Sequence, residues 1–280
     1  MVFYFAMTCI VRRQMMSDWV VINYKQHKTA GWKKLTNYRF AAEPVAPVSV
    51  AEISHLLSEM PLAFSRSAET GVFQLVAVQG LRPGDNVFLS STGHWAGQYI
   101  PACYRAHPFM VMKETSNNKP VLCMDISSEG IQIPAADDDA VRIFDSAGEL
   151  TPPVSRIVSY LSAHYRTMEL TRKLVAQLDD LQLMQHWPIE LTTPEGEVIP
   201  VGGLFRINEQ RIRELTQEAV YDLAVSGAMA IIYAQLFSQS RLKKLVNFYN
   251  LQGAAESAIE IDSIDLDEIF GENDDDIIKF

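Results

Sequence analysis

Between residues 38 and 145 the apolar positions come in short runs separated by turn chemistry, and no helical period persists beyond residues 50–57. That pattern predicts strands. Val72-Phe-Gln-Leu-Val-Ala-Val is dense in β-branched and aromatic side chains. Arg82-Pro-Gly-Asp-Asn then sets proline and glycine where a tight turn needs them, ahead of Val87-Phe-Leu, so a hairpin is expected there. Ser91-Thr-Gly-His-Trp repeats the turn signal, and Pro120-Val-Leu-Cys-Met and Val141-Arg-Ile-Phe read as further strands.

Beyond Asp145 the period lengthens. Thr151 is of the type that caps a helix by accepting backbone N–H bonds, and Pro152 is tolerated at the first helical position, where its missing N–H would be unpaired anyway. Val154, Ile157, Val158, Leu161, Tyr165 and Met168 share one helical face that Val175, Leu178 and Leu181 continue, which predicts one long helix. Ile189-Glu-Leu turns through Pro194-Glu-Gly into Val198-Ile as a strand pair, and Asn208 and Thr216 are candidate caps for a short helix and then a long one. In that last helix Ile231, Tyr233, Leu236 and Phe237 are expected in the core, and Arg241, Lys243 and Lys244 suit its negative C-terminal end. The expected fold class is α+β, with a mainly antiparallel β N-terminal half and long helices concentrated in the C-terminal half.

A chain of 280 residues that is 48% apolar can bury a large core without staples. Cys9, Cys103 and Cys123 cannot all pair with one another and form no C-x-x-C, which favours a reducing compartment. The opening apolar stretch precedes Arg12 and Arg13, the reverse of a signal peptide, and Met15 and Met16 offer alternative starts. The most apolar run, residues 223–237, counts 15 residues where a bilayer span needs about 20, so a buried helix is expected and no membrane span. These features together predict a cytoplasmic location.

Charge divides the chain. From Gln252 onward there are ten acidic residues and one base, so the tail accounts for nearly all of the total charge of −10. What precedes the tail is close to neutral and offers no electrostatic case for nucleic acid. Residues 1–40 carry seven bases against Asp18. The expected organisation is a basic leader over residues 1–37, a globular domain over 38–250 and a flexible acidic tail over 251–280.

Motifs that would name a reaction are absent: there is no phosphate-cradling glycine loop, no H-E-x-x-H and no nucleophile elbow. His55 and Glu59 have helical i,i+4 spacing and read as a surface ion pair, since zinc needs at least three protein ligands. No metal and no cofactor is expected. Cys103, beside Tyr104, Arg105 and His107, reads as a buried structural thiol rather than an activated one. The candidate binding surface is residues 94–109, where His94, Trp95, Tyr99, Tyr104, Arg105 and His107 combine aromatic bodies with polar tips, with core packing as the competing reading of the aromatics, Trp95 and Tyr99 above all. In the tail, Ile261, Ile264, Leu266, Ile269 and Phe270 alternate with acids and form a candidate docking strip for a protein partner.

Four stretches resemble the signatures of the SapC family in order and spacing. They are Gly97-Gln-Tyr-Ile-Pro-Ala-Cys-Tyr-Arg-Ala-His-Pro-Phe109, Phe144-Asp-Ser-Ala-Gly-Glu-Leu-Thr-Pro152, Gly203-Leu-Phe-Arg-Ile-Asn208 and the run from Ser226 to Leu242. The resemblance covers residues 38–248 and differs from the family pattern at Ala106-His107 and at Gln235. It implies a bacterial protein connected with surface-layer production, with no established catalytic residues to carry over, and not the peptide-transporter permease of the same name. Relatives encoded near outer-membrane receptors and flavin-dependent halogenase-like proteins shape two expectations. The first is a non-enzymatic accessory protein in cell-surface protein production that binds a protein partner. The alternative is an enzyme, or the substrate-presenting partner of a flavin-dependent halogenase-like oxidoreductase.

Overall fold

A computed structural model describes residues 19–114, 119–135, 139–192 and 198–246. In chain order the elements are β1 (Trp19–Val21), α1 (Tyr24–His27), β2 (Gly31–Trp32), β3 (Val45–Pro47), α2 (Ile53–Leu56), β4 (Leu62–Arg66), β5 (Phe73–Val78), β6 (Phe109–Lys113) and β7 (Pro120–Asp125). Then come β8 (Ile131–Gln132), β9 (Val141–Arg142), α3 (Pro152–Asp180), β10 (Met184–His186), β11 (Ile189–Thr192), β12 (Val198–Val201), β13 (Leu204–Ile207), α4 (Glu209–Arg213), α5 (Gln217–Ser226) and α6 (Ala228–Ser238). Short 3-10 turns occupy Arg39–Ala41, Val50–Glu52, Ala102–Tyr104 and Gln239–Arg241. The class is α+β, with antiparallel strands dominating the N-terminal half and the longest helices late.

The largest sheet has the order β10-β13-β4-β5-β3. β4 and β5 pair in the register Phe64↔Leu75, and nearly every residue of both is buried, which is why they read as apolar runs rather than as alternation. One face of the core packs against Leu174, Val175 and Leu178 of α3 and against Ala228, Ile231 and Ile232 of α6. A second cluster, built on Phe109, Met124, Ile143, Val154 and Leu161, lies under the smaller sheets β1-β7-β6 and β8-β2-β9. At a rise of about 1.5 Å per residue α3 runs roughly 44 Å and supplies apolar residues to both clusters. Residues 19–32, within the stretch read as a leader, pair with β7, β8 and β9.

Several local expectations change. Val87-Phe-Leu forms no strand; Val87 N–H reaches Gln79 O at 2.9 Å, the chain then turns, and the partners of β5 are β4 and β3. Thr151 holds the N-cap position of α3 without a capping bond from its side chain: Pro152 and Pro153 have no N–H to offer, and its hydroxyl donates to the Arg142 carbonyl at 2.7 Å. Asn208 and Thr216 do cap, accepting from Arg211 N–H and Ala219 N–H. The final long helix is interrupted at Gly227, whose φ of +89° closes α5 in the left-handed region that glycine adopts without strain. The chain bends by 89° there, and no single helix among the described residues is long and apolar enough to cross a membrane. Ile231 is buried, but Tyr233 and Phe237 are 51% and 69% exposed, so that part of the expected core is surface. Arg241 donates to the Leu57 carbonyl at 3.0 Å rather than serving its own helix end.

Candidate functional site

Residues 94–109 carry little regular structure, yet their backbone is held by side chains from distant elements. Ser49-Val-Ala-Glu52 starts the turn that leads into α2, and the Glu52 carboxylate reaches back to accept from Ser49 N–H at 2.9 Å and Ser49 Oγ at 3.0 Å. Its other oxygen accepts from Ala102 N–H at 2.6 Å and Tyr99 Oη–H at 3.4 Å. Beyond α2, Glu59 places both oxygens on Gln98 N–H, at 3.1 and 3.0 Å. Tyr160 of α3 donates to the Ala102 carbonyl at 2.9 Å, and Trp95 Nε1–H donates to the Tyr99 carbonyl at 3.0 Å. Glu52 and Glu59 are both buried, and each is satisfied by backbone donors, as a buried carboxylate must be.

This clamp sorts the six candidate residues into separate settings. Tyr99 and Arg105 stay together: the guanidinium lies 4.5 Å from the Tyr99 ring centroid, its Nε–H donates to the Ile100 carbonyl at 2.9 Å, and His55 stacks on Tyr99 at 4.8 Å. Trp95 and Tyr104 are packing residues, ring against ring with Phe88, Tyr38 and Phe40, and Tyr104 donates to Gln79 Oε1 at 2.8 Å. His94 sits apart on an exposed turn, bonded to Thr92 Oγ1 at 2.9 Å. His107 faces the other way, stacked on Phe40 at 3.7 Å and edge-on to Trp19 at 6.5 Å, with Nε2 3.1 Å from Ser128 Oγ. The tail candidates Ile261, Ile264, Leu266, Ile269 and Phe270 lie outside the described residues.

Behind His107 opens a cleft of about 190 Å³ lined by Trp19, Phe40, Glu43, Cys103, Tyr104, Asp125 and neighbouring apolar residues. Burial holds the His107 imidazole near pKa 4 against the opposing pull of Asp125, so it is neutral around pH 7. Burial pushes the Cys103 thiol well above its ordinary value and Glu52 adds to the shift, which makes Cys103 a protonated packing group and not a nucleophile. His164, stacked on Tyr160 at 6.3 Å, has its pKa lowered by burial. No three His, Cys, Asp or Glu side chains gather as a metal-ligating group among the described residues.

Glu52, Trp19, Phe40, Glu43 and Asp125 are absent from the sequence-based candidates, and Glu59 enters them only as the partner of His55. The Ser-x-x-Glu spacing at Ser49 and Glu52 is a readable capping signal, but nothing local announces that the same carboxylate also holds Ala102. The expected His55–Glu59 surface ion pair does not form, because Glu59 turns inward to Gln98 and His55 stacks on Tyr99.

The model of the SapC family matches residues 22–245, whereas no curated protein and no solved structure matches. The match corrects the expected cytoplasmic location, since association with the surface layer is an extracytoplasmic setting. The signals behind that expectation are weak for physical reasons. Cys103 and Cys123 are free thiols shielded by packing, whose lack of pairing does not report a compartment, and the opening apolar stretch lies outside the described residues. The family supports a general accessory or binding role. Since the match runs from the strand pairs of the smaller sheets to the end of the helical half, the chain belongs to the SapC family.

Proposed function

We propose that this chain is a non-enzymatic accessory protein in the production of cell-surface proteins of the surface-layer or outer-membrane receptor kind, and that it works by binding a protein partner through residues 94–109. The observation that supports this best is the exposed Arg105 stacked over Tyr99 on a backbone clamped by Glu52, Glu59 and Tyr160. Arginine and tyrosine dominate binding energy at protein interfaces, and side chains fixed before contact lose less entropy when they engage. Arg105 joins no ion pair among the described residues, which leaves its charge for an acidic partner group. The apolar residues Ile261, Ile264, Leu266, Ile269 and Phe270 of the tail form a second contact strip in this reading.

The test is native mass spectrometry of material captured on the tagged full chain from source cells, beside Arg105→Ala and a chain truncated after Gly253. A stoichiometric partner that is a cell-surface protein or its assembly factor, and that is lost with Arg105→Ala, is expected. A partner kept by that variant overturns the role of the segment, and one kept after truncation overturns the role of the tail. The alternative, an enzyme or the substrate-presenting partner of a flavin-dependent halogenase-like oxidoreductase, draws on the cleft beside His107, and recovery of the chain alone with a small molecule would favour it.

A further inference from the structure

We propose that the cleft walled by Trp19, Phe40 and His107 is a binding site for a small organic ammonium cation, one ring bearing a short cationic arm. Its aromatic walls meet at a right angle: Phe40 and His107 lie nearly parallel, 11° apart, while Trp19 stands at 82° to His107. Phe40 and His107 cover one face of each other at 3.7 Å, and the ring surface that they and Trp19 leave on the cleft attracts a desolvated ammonium, the indole most strongly of the three. Tyr104 and Cys103 contribute uncharged floor to the same space.

Charge selects the sign of the ligand. Glu43 and Asp125 line the cleft, and no lysine or arginine does. Glu43 makes no hydrogen bond or ion pair among the described residues. Asp125 uses Oδ1 for Ser127 N–H at 3.0 Å and Ser127 Oγ–H at 2.6 Å, which leaves Oδ2 open. The buried, neutral His107 does not cancel these two negative charges near pH 7. An anion would meet uncompensated repulsion, and a neutral apolar ligand would desolvate the carboxylates for nothing. A hard metal ion is disfavoured as well, since it wants six or more oxygen ligands and most of this wall is aromatic carbon. At about 190 Å³ the space lies below the usual range for drug-sized ligands and suits one ring with a short cationic arm.

The site shares Cys103, Tyr104, His107 and Phe109 with the segment read as a binding surface, and rests on that reading only so far. Arg105 takes no part in it. Purified full-length protein is titrated by calorimetry with phenyltrimethylammonium and tyramine, beside the neutral 4-ethylphenol and the anionic 3-(4-hydroxyphenyl)propionate. Both cations are expected to saturate at least tenfold more tightly than the neutral and anionic probes. Glu43→Gln should weaken cation binding roughly tenfold, the scale of one favourable charge contact. Trp19→Ala should weaken it also, while Arg105→Ala leaves it unchanged, which separates this site from the partner-binding surface. Equal binding of 4-ethylphenol, no saturation by either cation at millimolar concentration, or indifference to Glu43→Gln in a folded variant overturns the proposal. Because Glu43 holds no structural bond among the described residues, that variant keeps the test valid even where Asp125→Asn disturbs the Ser127 turn.

Discussion

Glu52 accepts a hydrogen bond from the backbone N–H of Ala102 at 2.6 Å, across 50 positions of sequence. The pair joins the turn leading into α2 to the segment that carries Tyr99 and Arg105, and Tyr160 closes it from the other side by donating to the Ala102 carbonyl. Ala102 thus has both backbone polar groups satisfied by side chains, which lets an irregular segment remain partly buried. The order of residues 97–105 is therefore a property of Glu52, Glu59 and Tyr160 more than of the segment itself.

Glu52→Gln should lower stability by about 1–3 kcal/mol, the cost of leaving buried donors unmet. Both carboxylate oxygens act as acceptors, and an amide offers only one. Urea unfolding with an unchanged m value checks the magnitude, and faster hydrogen exchange at Ala102 N–H locates the effect.

Acid should weaken the fold through His107. Its folded pKa of about 4 lies below the unfolded value of 6.5, so the unfolded state takes up the proton first as pH falls. The neutral ring's contribution is intact above pH 6.5 and erodes down to about pH 4, to a full extent of roughly 3 kcal/mol. His27 and His164 shift in the same direction, so the measurement is the difference between wild type and His107→Gln in urea midpoint across that window. The variant should show the shallower slope.

Gly97→Ala should loosen the clamp. A Cβ there would lie 2.7 Å from Glu59 Oε2 and 2.9 Å from Trp95 Nε1, forcing Glu59 off Gln98 N–H. A loss of about 1–3 kcal/mol is expected, with increased exchange at Gln98 N–H. Gly84→Ala is the control: its Cβ meets nothing within 4 Å, and its φ of +78° alone should cost about 1–2 kcal/mol.

The two faces of α6 should respond differently. Ile231→Ala removes a fully buried side chain and should cost about 2–5 kcal/mol. Phe237→Ser alters a residue that is 69% exposed and should stay within about 0.5 kcal/mol of wild type. Denaturant midpoints compare them directly, and a large loss for Phe237→Ser would show that its side is covered.

Features that depend on near neighbours were legible without coordinates. The period of α3 follows from apolar positions three and four apart, and the caps at Asn208 and Thr216 need only an N–H three residues on. Thr151 marks the limit of that logic: it has the right chemistry and position, yet its side chain makes no capping bond and its hydroxyl donates to the Arg142 carbonyl that the fold brings close. The apolar run at residues 223–237 likewise shows which residues avoid water but not which are covered, and the bend at Gly227 leaves Tyr233 and Phe237 outside.

The sequence by itself determined the α+β class, the long helix, the strands β5, β7, β9, β11 and β12 and the family, because propensity, periodicity and signature order are written over a few residues at a time. Only the tertiary structure decided that β13 inserts between β10 and β4, that Gln235 bridges Ile207 N–H and the Leu62 carbonyl, and that Glu43 and Asp125 meet Trp19 and Phe40 around one cleft. Each of these joins residues far apart in the chain, where many partners of equal chemistry compete and packing of the whole core selects among them.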